Sequence, residues 1–368
     1  MRITKKLILL FVIICIGKFS SAQFTGSNPI TQSSTGNVGI NILSPGAVIA
    51  PLEVKNGSVL FDGALGTYPA LSGAGTRMLW YPAKAAFRAG SITSTQWDDA
   101  NIGVNSFACG LSTTASGVQS SAFGGGTASG VRAAAFGTST ASNTGATSFN
   151  AGIASGSGAF AINGTASGNL SFSAGTNTTA SGLSACSFGT TTTAYGYYSA
   201  AWGTNTTAES GYEFVIGKFN VLNAAYNRTA WVSTDPLFVI GNGSSAAAPN
   251  NALTVLKNGN VLINKVTQLN PNYLLDVNGK IRSNEIVVNT TGADFVFEKN
   301  YSLLSLNELE QKLKQDKHLP GIASAKEMQE NGVGLAELNT SLLQKTEELT
   351  LYIIELNKRI EALEKKNK

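Results

Sequence analysis

The order of apolar and polar positions divides the chain into three stretches. Between Asn105 and Gly217 small residues dominate, and two markers alternate through them. One is a Gly that in most copies follows a bulky or apolar residue: Cys109-Gly110, Phe123-Gly124, Phe136-Gly137, Ala151-Gly152, Asn163-Gly164, Ala174-Gly175, Phe188-Gly189, Trp202-Gly203 and Ile216-Gly217. The other is Ala-Ser-Gly or a near copy, beginning at Ala115, Ala128, Ala141, Ala154, Ala166, Ala180, Ala194 and Ala208, in steps of 12 to 14 residues. A period this short, held over eight copies, predicts a solenoid of stacked coils.

Each coil has room for two short strands and two tight corners and none for a helix. Within Ser121-Ala122-Phe123-Gly124 the period is two, so Ser121 and Phe123 face one way and Ala122 the other. Gly is expected to supply the backbone angles of the corners. Parallel pairing at about 4.8 Å makes eight coils a rod on the order of 40 Å long. The copies from Gly137 to Gly175 depart in length, which predicts local bulges or loops. A coil with one large residue makes no dry core alone; neighbours above and below, and other chains alongside, would complete it. The competing reading is a disordered Gly/Ser/Thr tract, but disorder gives no reason for Phe-Gly and Ala-Ser-Gly to return in step.

The pattern changes on both sides of the repeat. Gly36-Asn37-Val38-Gly39-Ile40-Asn41, Ser44-Pro45 and Leu52 to Leu60 read as a strand, a Pro turn and a hairpin around Asn56-Gly57. The same wording returns as Gly259-Asn260-Val261-Leu262-Ile263-Asn264, Asn270-Pro271 and Leu275-Asp276-Val277-Asn278-Gly279-Lys280-Ile281. Met78 to Phe87 and Trp97 read as an apolar plug on the first coil, since solenoids need caps; an aromatic sugar platform is the sharper reading of Trp80, Tyr81 and Trp97. Tyr226, Trp231 and Phe238, within Phe214 to Ile240, read as a lower cap and neck.

Helical periodicity begins only in the last third. Ser305-Leu-Asn-Glu308 is a capping box opening a helix to about Lys317, and Ser324-Ala-Lys-Glu327 opens a shorter one that stops at Asn331-Gly332. From Gly334 a heptad runs, with Leu335, Leu342, Leu349, Leu356 and Leu363 at one core position and Asn339, Thr346, Ile353 and Ile360 at the other. This predicts a coiled-coil stalk of about 50 Å rather than an ordinary amphipathic helix. The expected division is therefore residues 1–22, 23–100, 101–217, 218–290, 291–334 and 335–368.

Charge alters the picture twice. Between Asn101 and Gly211 the only ionisable acids and bases are Arg132 and Glu209, which suits a surface of small hydroxyls partly buried in an oligomer. Residues 1–22 read as a secretory signal peptide: Arg2, Lys5 and Lys6 precede the apolar run Leu7 to Gly17, which is too short to span a membrane, and Ser20-x-Ala22 supplies the small cleavage residues. Cys15 is preceded by Ile13 and Ile14, where a lipoprotein signal needs small residues. Four of the 26 bases and none of the 22 acids lie in this segment, so the formal charge of +4 falls to zero on cleavage. Nothing in the balance points to nucleic acid or an anionic membrane.

At Ser121-Ala122-Phe123-Gly124, and at Ser187-Phe188-Gly189 followed by Ala194, the repeat resembles the heads of trimeric autotransporter adhesins (YadA-like heads). The resemblance implies a mainly β fold: a left-handed parallel β-roll of about eight 14-residue coils, three chains side by side. The bracketing modules resemble those of phage tail-fibre-like surface proteins. Ile and Leu at heptad positions lean toward dimers and the roll implies trimers; the larger folded body is expected to set the count. The adhesins end in a β-barrel anchor, whereas this chain ends in Glu364-Lys-Lys-Asn-Lys368.

Catalytic chemistry is sparse. His318 is the only histidine, at a helix end where a capping role is ordinary. No clustered metal ligands and no phosphate loop are present, so no catalytic, metal or cofactor residue is nominated. Cys109 and Cys186 lie about five to six coils apart, some 25 Å, beyond disulfide reach, and read as buried small apolar residues. The expected function is a non-catalytic secreted or surface fibre, a homotrimer acting by multivalent binding to a glycan or protein ligand. The expected route is Sec export to the cell surface or the medium, with the periplasm as a further location. The alternative is a tail-fibre-type protein whose C-terminal third is a self-cleaving intramolecular chaperone; Thr291-Gly292-Ala293-Asp294 lacks the Ser expected before Asp.

Overall fold

The computed structural model describes residues 72–367 and, before them, the backbone of three short strands, Ile30–Gln32, Val38–Ile40 and Leu52–Val54. The signal-peptide segment and the Asn56-Gly57 hairpin lie outside the described residues. The chain divides into two compact units after Gly279.

The first unit is a parallel β-solenoid of about 12 turns rather than eight. Its smaller sheet has 8 strands, one for each Ala-Ser-Gly copy, from Thr114–Ala115 to Thr207–Ala208. The larger has 15. Ala86–Ile92 pairs in parallel with Phe107–Leu111, and Pro236–Asn242 with Phe214–Lys218. The Ala-Ser-Gly marker belongs to the smaller sheet alone, and the larger sheet continues beyond it at both ends.

The expected alternation holds. Ala108, Ala122, Ala135, Ala161 and Ala201 of the larger sheet face Ala115, Ala128, Ala141, Ala154 and their successors of the smaller one, all fully buried. Ser173 and Ser187 replace Ala inside the stack and pair with Thr178 and Thr192 through hydroxyl contacts of 2.8 and 2.7 Å. The expected bulges are absent from the short coils. Ala134 pairs with Thr147, Thr147 with Phe160 and Phe160 with Phe172. Strands Thr147–Phe149 and Phe160–Ile162 shorten to three residues, and the corners absorb the missing length.

The two glycine markers have different tasks. The Gly after the bulky residue supplies the expected angle, with Gly124 and Gly137 at φ 76 and 74° and Gly189 and Gly203 at 128 and 127°; the Gly of Ala-Ser-Gly does not. The left-handed corner positions carry Asn163, Asn177, Thr191, Asn205, Gln119 and Arg132, with φ from 52 to 59°. The Gly of Ala-Ser-Gly is there for proximity: a Cβ on Gly182 would stand 2.1 Å from the Gly196 carbonyl oxygen, and one on Gly117 2.0 Å from that of Gly130.

Trp97, Tyr81, Ile92, Ile102 and Leu79 form the plug at the first coil. Trp97 is fully buried, and its Nε1 donates to the Thr113 carbonyl at 2.9 Å. Arg88, also buried, donates to the carbonyls of Ser106 and Ala115 at 3.0 and 2.9 Å, satisfying acceptors at the open end of the stack. The bracketing modules share a topology. Ile30–Gln32 is antiparallel to Val38–Ile40, which is parallel to Leu52–Val54; Asn251–Leu256 is antiparallel to Val261–Ile263, which is parallel to Leu275–Val277. Val38 pairs with Leu52 and Val261 with Leu275, a step of 14 in both. The step between the paired strands equals the coil step in both modules.

In the second unit, helices Leu306–Asp316 and Ala325–Asn331 open on the expected capping boxes, Ser305 with Glu308 and Ser324 with Glu327. Helix Leu335–Lys366 packs through Tyr352, whose hydroxyl donates to the Leu304 carbonyl at 2.6 Å, and through a Tyr301–Glu348–Gln344 network. The heptad leucines Leu335, Leu342, Leu349, Leu356 and Leu363 point elsewhere and are 43 to 60 % exposed.

Candidate binding faces

Because the side chains of a strand alternate, filling the coils with Ala places the residue on either side of each core position outside. Those outward residues form two columns, and register brings like onto like. Phe123, Phe136 and Phe149 share one column, Phe160 and Phe172 the other. The aromatic path steps from column to column as Phe87, Phe107, Phe123, Phe136, Phe149, Phe160 and Phe172, with centroids 4.6 to 5.6 Å apart. After a gap at Cys186, the register partner of Phe172, it resumes as Phe188, Trp202, Phe214 and Phe238. Register extends the face at both ends. Trp80 and Met78 lie beside Phe87 and Ala89; Leu253 and Val255, Val261 and Ile263, then Leu275 and Val277, follow Phe238 and Ile240.

The two ring-bearing columns of this 15-stranded sheet contain no charged side chain; Lys218 stands beside them, in register with Thr204 and Asn242. At about 4.8 Å per strand the apolar face is on the order of 65 Å long, and many of its rings remain partly open: Phe107 37 %, Phe188 55 %, Trp202 47 %. A face of this extent exceeds what a free-standing soluble chain ordinarily exposes.

The smaller sheet has an unlike exterior. Thr114, Thr127, Thr140, Thr165, Thr179, Thr193 and Thr207 stand in one outward column, interrupted by Ile153. This is the small-hydroxyl face that the sequence implies.

At the lower end of the stack the inner column continues through Val215, Val239 and Leu262, and the three aromatic residues read as a lower cap and neck do not close it together. Phe238 belongs to the outer face, Trp231 is 55 % exposed, and Tyr226 alone of the three packs near the end of the core. Glu213, Asp235, Lys257 and Ser210 are buried there instead. The Ser210 amide donates to Glu213 at 2.8 Å, the Lys257 ammonium to the Ser210 hydroxyl at 2.5 Å, and the Asn227 amide to Asp235 at 2.9 Å. Burial pushes the Glu213 carboxyl up to about 8, against the opposing pull of the Ser210 amide and the Lys257 charge. Burial likewise lowers Lys257.

Trp97 and Tyr81 are committed to the plug, where the Tyr81 hydroxyl donates to Asp99 at 2.9 Å, so the sugar platform proposed for Trp80, Tyr81 and Trp97 does not assemble. Cys109 and Cys186 are free thiols on the outer face, only partly covered, not the buried residues expected. His318 follows the helix Leu306–Asp316 and contacts the Leu319 carbonyl through Nδ1 at 3.2 Å; Lys317 itself occupies the C-cap. Asp294 opens a 3-10 helix, Asp294–Phe297. Tyr198 and Tyr212, which sequence reasoning passes over, stack in the open at one corner of the last coils. Among the described residues no group of three or more His, Cys, Asp or Glu is placed to hold a metal ion, and no helix is long and apolar enough to cross a membrane.

No family model, curated protein or solved structure matches this chain. The solenoid is compatible with a repeat β-roll fibre. Likeness to adhesin heads rests on the coil residues alone.

Proposed function

We propose that this chain is a non-catalytic, exported fibre that assembles with copies of itself and acts by multivalent binding at a surface. The observation that carries this is the pair of uncharged, ring-bearing outward columns running the length of the 15-stranded sheet. Its period is the coil period, so the partner that matches it over its whole length is another copy of the same coils. Three copies in left-handed rolls, as in the adhesin heads that the repeat resembles, would bring three aromatic ladders together on one axis. The open heptad leucines of helix Leu335–Lys366 support a parallel conclusion for the C-terminal unit, a coiled coil between chains. The Thr face and the coil corners would remain outside to meet ligand. Three weak contacts on one assembly act together through effective concentration, a gain of about 10²–10⁴ over a single contact.

The test compares residues 23–368 with a Phe136→Asp, Phe149→Asp double variant on glycan- and matrix-protein-coated beads. Wild type should be retained at concentrations about 100-fold lower than the variant. Equal retention, with both proteins confirmed folded, contradicts the multivalent mechanism.

A further inference from the structure

The corner that leads from the Thr-Ala strand back to the ladder strand adopts left-handed backbone in each coil. Gln119, Arg132, Gly145 and Ser184 fill it in earlier coils. In the last two it holds Tyr198 and Tyr212, at φ 57 and 63°. That region is unfavourable for a side chain with a ring, and the corner is made elsewhere by residues as unlike as Gln119, Arg132, Gly158, Leu170 and Ser184, so the winding does not require Tyr there. Nor does the fold bury these rings: Tyr198 is 50 % and Tyr212 41 % exposed.

A third ring is brought to them by an insertion. Ala200 to Phe214 is a step of 14 residues, but Phe214 to Phe238 is one of 24. The additional loop is tied to the corner by the Tyr197 amide, which donates to the Arg228 carbonyl at 2.7 Å, and the Gly211 amide, which donates to the Asn227 carbonyl at 2.9 Å. It delivers Trp231, whose ring meets Tyr212 at 5.7 Å and 60°, while Tyr198 and Tyr212 stack at 5.2 Å and 20°. Arg228 lies 4.2 Å over the Tyr195 ring and pairs with Glu209 at 2.7 Å. Three partly open rings meeting at an angle are thus held on tied backbone. The same loop carries Arg228, the more open partner of the Arg228–Glu209 pair; the Glu209 carboxylate is mostly buried.

The chemistry of the rim decides the occupant. A flat C–H-lined ring that also carries hydroxyls satisfies both the open aromatic faces and the polar edge. A cationic ligand is disfavoured, because Arg228 and Lys257 already lie over Tyr195 and Trp231. A sister chain is disfavoured as well: the rings occupy two coils only and sit at a corner, off the continuous outward face. We propose that Tyr198, Tyr212 and Trp231 form a glycan site in which a hexopyranose stacks on the rings and hydrogen-bonds Arg228. The proposal names the ligand class of the adhesive reading above and rests on it.

The test titrates residues 23–368 with cellohexaose, laminarihexaose and chitohexaose by calorimetry and tryptophan fluorescence, with sedimentation of the same samples. At least one sugar should bind saturably, one per chain, and Tyr212→Ala with Trp231→Ala should weaken it at least tenfold at unchanged chain count. The Phe136→Asp, Phe149→Asp chain should keep the same solution affinity, since one chain carries the whole site. No binding by any of the three sugars, or binding indifferent to the ring deletions, overturns the site. A changed chain count in the ring-deleted protein also overturns it, by making the patch a chain–chain contact. Single-chain wild type that still binds sugar would instead count against the fibre reading alone.

Discussion

Phe136 lies on Phe149 of the next coil with ring centroids 4.6 Å apart and planes 5° from parallel. The pair is outside the coil, on the far side of its strands from Ala135 and Ser148. Ring stacking along the rod contributes roughly 0.5–1.5 kcal/mol per pair, yet it leaves one edge of the ladder open. Replacing both rings by Asp removes three ring contacts, Phe123–Phe136, Phe136–Phe149 and Phe149–Phe160, and sets two charges at the centre of the apolar face. The coils should persist, because their Ala core and strand ladders are untouched, while association should be lost. Circular dichroism with sedimentation checks both halves.

The two thiols report on the same face without altering it. Cys109 is the register partner of Phe123, and Cys186 that of Phe172. Both should react slowly with a bulky maleimide in the assembled wild type. In the Phe136→Asp, Phe149→Asp chain they should react at least tenfold faster. Equal rates would indicate that nothing covers the face.

Glycine positions separate proximity from backbone angle. A Cβ on Gly182 would stand 2.1 Å from a backbone oxygen of the next coil, which has no side-chain freedom to yield. Gly182→Ala should cost about 3 kcal/mol or more, read as a lowered denaturant midpoint. Gly145, at φ 66°, has its nearest neighbours 3.9 Å from an added Cβ. Gly145→Asn should be nearly neutral, since Asn163 and Asn177 adopt comparable angles in other coils.

The polar groups buried at the lower end make stability depend on pH. Glu213 titrates at about 8 in the fold and at its ordinary 4.5 when unfolded. Between those values the folded state holds the additional proton, so this group's contribution is complete below about pH 4.5 and is lost as pH rises toward 8. Lys257 opposes the shift and Glu209 adds to it. Glu213→Gln keeps an acceptor for the Ser210 amide and removes the titration. Its melting temperature should fall less than that of wild type between pH 5 and 8, and at pH 8 it should be the more stable protein.

Much of this fold is legible in the residue order. The return of Ala-Ser-Gly gives the step of the coils, and Ser-Ala-Phe-Gly puts Ala and Phe on opposite faces; that Ala is the inner one shows only in the burial of Ala122 and Ala135. The capping boxes at Ser305 and Ser324 start both short helices where expected. The full number of turns is less readable, because Ala86–Ile92 and Pro236–Asn242 join the larger sheet without the marker of the smaller one. Glycine misleads for a related reason: proximity to the next coil and left-handed backbone both select Gly, and only geometry tells Gly182 from Gly145. The acidic and basic residues that close the lower end, Glu213, Asp235 and Lys257, are far apart in sequence. Tyr198 and Trp231 are 33 positions apart, and an insertion that breaks the repeat brings them to one corner.

The mass of residues 23–368 in solution, measured by sedimentation equilibrium, tests the central claim most directly. Coverage of the aromatic face by sister chains predicts three chains per particle, with no dissociation to one at micromolar concentration. A particle of one chain at every concentration, with thiols and rings open to solvent, would contradict it.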